Sequence, residues 1–148
     1  MYILAGIVGL IAVGFIAIYV QNSKSQLTLG LVEGKLQEIP DKDNAVSTQT
    51  MIEGKKIDAL PLKEDLSKSV EAMKEALAAY GGIKIIEEKS DYLYAVATTG
   101  TMKFHDDIEI YFDEAAGVIQ FRSASRAGYS DMGLNRTRYE ALKALYLD

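Results

Sequence analysis

Asp106-Asp107-Ile108-Glu109-Ile110-Tyr111-Phe112-Asp113-Glu114-Ala115-Ala116-Gly117-Val118-Ile119-Gln120-Phe121-Arg122 is the stretch that decides the fold. Two runs of alternating apolar and polar residues flank the break Glu114-Ala115-Ala116-Gly117, the pattern of two half-buried strands joined by a short turn. With Gly117 in the left-handed position of that turn, Phe112 lies opposite Ile119, Ile110 opposite Phe121 and Glu109 opposite Arg122. A slip of one residue would set apolar against polar along the whole hairpin, so the pattern selects this register. Asp107 and Glu109 then share a sheet face with Arg122 and Arg126, while Asp106 points to the other face.

Working outward, residues 83–88, 92–98, 101–112 and 118–125 are rich in strand formers and separated by short connections, which implies an antiparallel meander. Before them, Leu62, Leu66, Val70, Met73, Leu77 and Tyr80 recur every three or four residues with lysine and glutamate between, an amphipathic helix ended by Gly81-Gly82. After them, residues 131–147 read as a helix with Ser130 or Asp131 as cap and Leu134, Ala141, Leu142 and Leu145 toward the core. The expected fold is α+β: helix, four strands, helix, with an antiparallel sheet of about four strands covered by helices on one face.

The other end of the chain has a different character. The first twenty residues carry no charge and match the length needed to cross about 30 Å of hydrocarbon, so an N-terminal transmembrane helix over 1–22 is expected, with the lipid bilayer as its partner through residues 1–20. A cleaved leader would begin with basic residues and end in a small-x-small site, neither of which is present. Residues 23–55, with Pro40-Asp41-Lys42-Asp43-Asn44, read as a tether and irregular lead-in, and a short strand near 57–60 opens a domain over 56–148. Lysines follow the apolar run and none precede it, which places the C-terminal domain in the cytoplasm. The chain has no cysteine and so no redox signature.

All the charge lies beyond residue 22 and sums to −5, a poor balance for neutralising phosphates along a nucleic acid. Against this acidic background all four arginines, Arg122, Arg126, Arg136 and Arg138, fall in one window, and lysine serves elsewhere. Arginine's rigid donor fork is the side chain for planar recognition of carboxylate or phosphate, so the window marks either an anion site or an internal ion-pair network.

Asp106-Asp107-Ile108-Glu109 and the run Arg122-Ser123-Ala124-Ser125-Arg126-Ala127-Gly128-Tyr129-Ser130-Asp131-Met132-Gly133-Leu134-Asn135-Arg136-Thr137-Arg138 resemble the signature of the DUF1499 family, whose function is unknown. Gly30-Leu31-Val32-Glu33-Gly34-Lys35-Leu36, Ile39-Pro40-Asp41-Lys42-Asp43-Asn44-Ala45-Val46-Ser47-Thr48 and Leu60-Pro61-Leu62 resemble its N-terminal motif. The resemblance spans about residues 29–145 and implies no activity. The family motif typically carries two cysteines where this chain has Ile39 and Ala45, so any disulfide or metal role of that pair is absent here.

Two readings of the window stay open. In one, the four arginines with Ser123, Ser125, Tyr129, Ser130 and Asn135 line a pocket for a phosphate or carboxylate, such as a lipid headgroup or small organic acid, aided by helix-start N–H groups near Asp131. In the other, they pair with Asp106, Asp107, Glu109, Asp131 and Glu140 and join sheet to helix. A catalytic or metal role for His105, Asp106, Asp107 and Glu109 is disfavoured because adjacent strand residues point apart. No nucleophile elbow, phosphate loop or dinucleotide fingerprint is present, and neither a cofactor nor a metal is expected. The expectation is therefore a membrane-anchored, non-catalytic binding or accessory module. The alternatives are a hydrolase or isomerase using Asp106, Asp107 or Glu109 with arginine support, and a structural part of a membrane complex with a protein partner.

Overall fold

A computed structural model describes residues 2–25 and 27–148, and in the first helix the side chains of residues 7 and 9–22. Its elements are α1 (Tyr2–Asn22), β1 (Leu31–Val32), β2 (Lys35–Leu36), β3 (Ala45–Ser47), β4 (Leu60–Pro61), α2 (Leu66–Tyr80), β5 (Ile83–Glu88), β6 (Tyr92–Thr98), β7 (His105–Asp113), β8 (Val118–Ser125) and α3 (Leu134–Leu147). The architecture is α+β, but the sheet is larger than the four-stranded meander expected. Six strands form one antiparallel sheet in the order β3-β8-β7-β6-β5, with β4 also pairing with β8, and β1-β2 make a separate hairpin.

The extra strands come from the lead-in. Ala45 and Val46 pair with Ala124 and Ser123, and Leu60 pairs with Ile119, so residues before α2 close the exposed edge of β8. An open edge is a row of unpaired donors and acceptors, and short strands laid along it satisfy them. Two- and three-residue strands are too short to show alternation, which is why periodicity missed them.

The hairpin of β7 and β8 has the register that alternation selects: Glu109 opposite Arg122, Ile110 opposite Phe121, Phe112 opposite Ile119. Gly117 has φ 69, the left-handed conformation the turn requires. The third strand starts at His105 rather than Thr101, because residues 99–104 form a turn closed by the Thr99 amide on the Phe104 carbonyl, with Lys103 at φ 54.

Both C-terminal helices cover one face of the sheet. Met73, Ala76 and Leu77 of α2 and Tyr139, Leu142 and Tyr146 of α3 bury against Leu93, Ile108, Ile110, Phe112, Ile119 and Phe121. Full burial of each large apolar side chain contributes roughly 1.5–3 kcal/mol before ordering entropy, so this layer is the main source of stability. Asp65 caps α2 by accepting from the Lys68 amide, and Gly81 ends it at φ 79. In α3 the buried face is Asn135, Arg138, Tyr139, Leu142 and Tyr146, whereas Leu145 is exposed. Polar Asn135 and Arg138 thus occupy positions that a purely apolar stripe would give to leucine.

The opposite, outer face is covered by the lead-in. Leu36 buries against Tyr92 and Tyr94, with Leu29, Leu31 and Tyr111 packed beside them. Ile39 buries with Ala45 and Ala124.

The membrane-crossing helix is the expectation the structure overturns. Among the described residues no helix is long and apolar enough to cross a membrane. The described side chains of α1, those of residue 7 and of residues 9–22, are apolar from residue 9 to residue 20. Met1 and the side chains of residues 2–6 and 8, which the expectation also used, lie outside the described residues. Polar Gln21 and Asn22 follow, and Asn22 is tied to the domain: its Nδ2 donates to the Lys103 carbonyl (2.8 Å) and its Oδ1 accepts from the His105 amide (2.7 Å).

Candidate functional site

Alternation along β7 sends its acids to different places. Glu109 and Asp107 lie on the outer face and Asp106 on the helix face, and each meets one arginine. Burying a lone carboxylate is costly, so one-to-one pairing is the condition under which three acids sit inside this domain.

The Glu109–Arg122 pair is fully enclosed, with Arg122 at 0 % exposure. Arg122 Nε donates to Glu109 Oε2 (2.7 Å), and Nη2 donates to the same oxygen. Nη1 donates to the Gln37 carbonyl (2.7 Å) and Nη2 to the Thr28 carbonyl (2.9 Å). Glu109 Oε1 accepts from the Tyr92 hydroxyl (2.6 Å) and the Gly30 amide (2.7 Å). This cluster clamps the lead-in onto the sheet and is sealed from solvent.

At the next outer-face position, Arg126 Nε and Nη2 both donate to Asp107 Oδ1 (3.0 and 2.9 Å), and the Tyr94 hydroxyl donates to it as well (2.7 Å). Asp107 Oδ2 is buried without a partner. Burial and then the Asp107 hydrogen bond and charge push the Tyr94 phenol up to about 12. Burial, followed by the Glu109 hydrogen bond, likewise raises Tyr92. Burial opposes the Arg126 charge, but Asp107 and Tyr94 outweigh it and hold its pKa above the ordinary arginine value.

On the helix face, Arg138 Nη2 donates to Asp106 Oδ2 (2.5 Å) and Nη1 to Asn135 Oδ1 (2.9 Å). Asn135 Oδ1 also accepts from the Ser123 hydroxyl, while its Nδ2 donates to Ser125 Oγ (3.1 Å), the Asn44 carbonyl (3.0 Å) and Asp131 Oδ2 (2.7 Å). Asp131 also accepts from the Gly133 and Asn135 amides, occupying donors at the start of α3. Arg138 is 3 % exposed and its Nε has no partner.

Two cavities flank this cluster at one end of the sheet. One, of about 240 Å³, lies between the end of α2, the end of β6 and the start of α3 and is lined by Arg138. The other, of about 280 Å³, lies between the 99–104 turn and the 126–133 loop and is lined by Asp106, Ser125, Ser130 and Asp131 among others. Thr99 and Leu134 line both.

A family model described as a protein of unknown function (DUF1499) matches residues 35–145. The chain belongs to the DUF1499 family. No curated protein and no solved structure matches it. All three arginine–carboxylate pairs of this DUF1499 domain fall within the matched span, whereas Thr28 and Gly30, which close the outer face, precede it.

The remaining residues singled out by sequence are dispersed. Arg136 is directed away from the other arginines, its Nη2 donating to the Gly54 (2.7 Å) and Lys56 (3.1 Å) carbonyls beside a cleft of about 360 Å³. Tyr129 is exposed. His105 Nδ1 lies 3.1 Å from Thr98 Oγ1. Among the described residues no three His, Asp or Glu side chains converge as a metal site.

Sequence reasoning missed Tyr92, Tyr94 and Asn44. The tyrosines alternate along β6, and pairing with β7 puts Tyr94 opposite Glu109 and Val96 opposite Asp107, but that register depends on the length of the 99–104 turn. Asn44, whose Nδ2 donates to the Gly128 (2.8 Å) and Ser125 (3.3 Å) carbonyls, gave no signal beyond its place in the family motif.

Proposed function

We propose that the chain is a non-catalytic binding domain in which the arginine window acts chiefly as an internal frame, and that the binding place is the crevice this frame holds at the loop end of the sheet. The observation carrying the reading is the one-to-one closure of Asp106, Asp107 and Glu109 by Arg138, Arg126 and Arg122. An acid held by an arginine is a poor general base, and an arginine held by an acid is a poor phosphate clamp. Closure therefore weighs against both the hydrolase or isomerase reading and an arginine-lined anion pocket. The cavities beside Asp106 and Arg138 supply the concave, mostly apolar surface with a few convergent polar groups that small ligands use.

A thermal-shift screen of the full chain against a library of small neutral and charged molecules tests this. A ligand of the native state raises the melting temperature. The expected result is a ligand whose shift disappears in Leu134→Trp, which fills the junction of the two cavities, and persists in Met51→Ala, an exposed position outside both. Hits indifferent to Leu134→Trp, or no hits, reject the crevice as the binding place.

A further inference from the structure

We infer that the 280 Å³ cavity between the 99–104 turn and the 126–133 loop takes a small organic amine in its ammonium form, held by the Asp106 and Asp131 carboxylates with its hydrocarbon body against the apolar wall. The inference rests on the binding role proposed above and names the chemistry of the ligand. The described lining holds two acids, Asp106 and Asp131, and no lysine, arginine or histidine. Arg138 matches one of these charges from behind, its Nη2 donating to Asp106 Oδ2 (2.5 Å). Asp131 accepts from the Gly133 and Asn135 amides and from Asn135 Nδ2, all neutral donors. The wall therefore carries one negative charge in excess.

The fold brings the two carboxylates to one place. Asp106 stands opposite Ser125 across β7 and β8, so both side chains leave the sheet on its helix face. Asn135 Nδ2 donates to both Ser125 Oγ (3.1 Å) and Asp131 Oδ2 (2.7 Å), which holds Asp131 beside Ser125. Asp106 is 1 % exposed, and among the described residues nothing donates to its Oδ1. The sealed unpartnered atoms are Asn44 Oδ1, Asp107 Oδ2 and Arg138 Nε, and Asp106 Oδ1 is not one of them. A carboxylate oxygen on a cavity wall that is neither paired nor sealed is open to a donor from outside the chain.

Charge and shape then select the donor. A primary ammonium brings three N–H groups and the missing positive charge, and charge-assisted hydrogen bonds are about twice as strong as neutral ones. A carboxylate or phosphate would meet two acids and no base. A divalent metal ion needs about six oxygen ligands, and among the described residues no three His, Asp or Glu side chains gather. Phe104, Ala127 and Leu134 make the wall largely apolar, which fits an alkyl or aryl body on the nitrogen.

The test is a titration of the 15N-labelled full chain with butylammonium chloride, 1-butanol, sodium butyrate and magnesium chloride, read at the backbone amides of Ser125, Ala127 and Leu134. Butylammonium is expected to move them saturably, butanol to bind about tenfold more weakly, and butyrate and magnesium to leave them in place. Raising sodium chloride from about 50 to about 500 mM is expected to weaken the butylammonium response and not the butanol one. Asp131→Asn, which keeps an acceptor for the amides of α3, is expected to bind butylammonium about fivefold more weakly. Unchanged affinity in that variant overturns the inference, and if the variant does not fold, a butylammonium response indifferent to salt does so. Equal or tighter binding of butanol, butyrate or magnesium overturns it while leaving the crevice as a binding place. No response to any of the four also overturns it, and the library screen with Leu134→Trp then judges the crevice separately.

Discussion

On the outer face of the sheet Arg122 donates from all three of its nitrogens to Glu109 and to the carbonyls of Thr28 and Gln37, and it is wholly enclosed. On the helix face Arg138 is almost as deeply buried, yet its Nε has no partner and it borders a cavity. The two residues lie in one window and each pairs with an acid on the same strand. Burial therefore does not separate a fully satisfied arginine from one that keeps an unpaired donor; the count of satisfied donors does.

The largest test of this contrast is Arg122→Ala. Removing one partner of a sealed pair leaves Glu109 uncompensated, and the expected loss is about 3–5 kcal/mol in urea unfolding. A loss below about 1 kcal/mol would erase the distinction between the two faces. Arg138→Ala is expected to cost less, about 2–3 kcal/mol, since one of its donors contributes nothing in the free protein. Equal losses at the two positions would show that the unpartnered Nε has no energetic meaning.

Tyr94→Phe sharpens the outer-face half through pH. The Tyr94 phenol is raised to about 12 in the folded chain, above its unfolded value near 10. A raised value means the folded state holds the proton more tightly, so this contribution is complete below pH 10 and is lost as pH rises through 12. The native chain should lose stability over that window, and Tyr94→Phe should fall less steeply. Parallel curves would remove Tyr94 from the network. The smallest effect is expected from Arg136→Ala, under about 1 kcal/mol, because this half-buried arginine only joins carbonyls at the surface.

The strands of the meander were readable because their alternation is long enough to fix face and register. Glu109 opposite Arg122 follows from Phe112 and Ile110 having to meet Ile119 and Phe121. Ala45–Ser47 and Leu60–Pro61 were not readable, since their pairing is imposed by the edge of β8 rather than by their own pattern. The acid–arginine juxtaposition on the outer face was legible for the same reason as the register. The pairing of Asp106 with Arg138 was not, because it depends on how α3 is rotated, and polar Asn135 and Arg138 were not candidates for its buried side.

The hydrogen bond from Arg122 to the Thr28 carbonyl joins residues 94 positions apart. During synthesis the segment that covers the outer face leaves the ribosome long before β8 exists to hold it. Tyr92 and Tyr94 emerge later but still ahead of Arg122, so the first-made part of the domain must wait for nearly the last. Closure of the outer face thus waits until β8 has been made, and contacts of such long range make for slow folding.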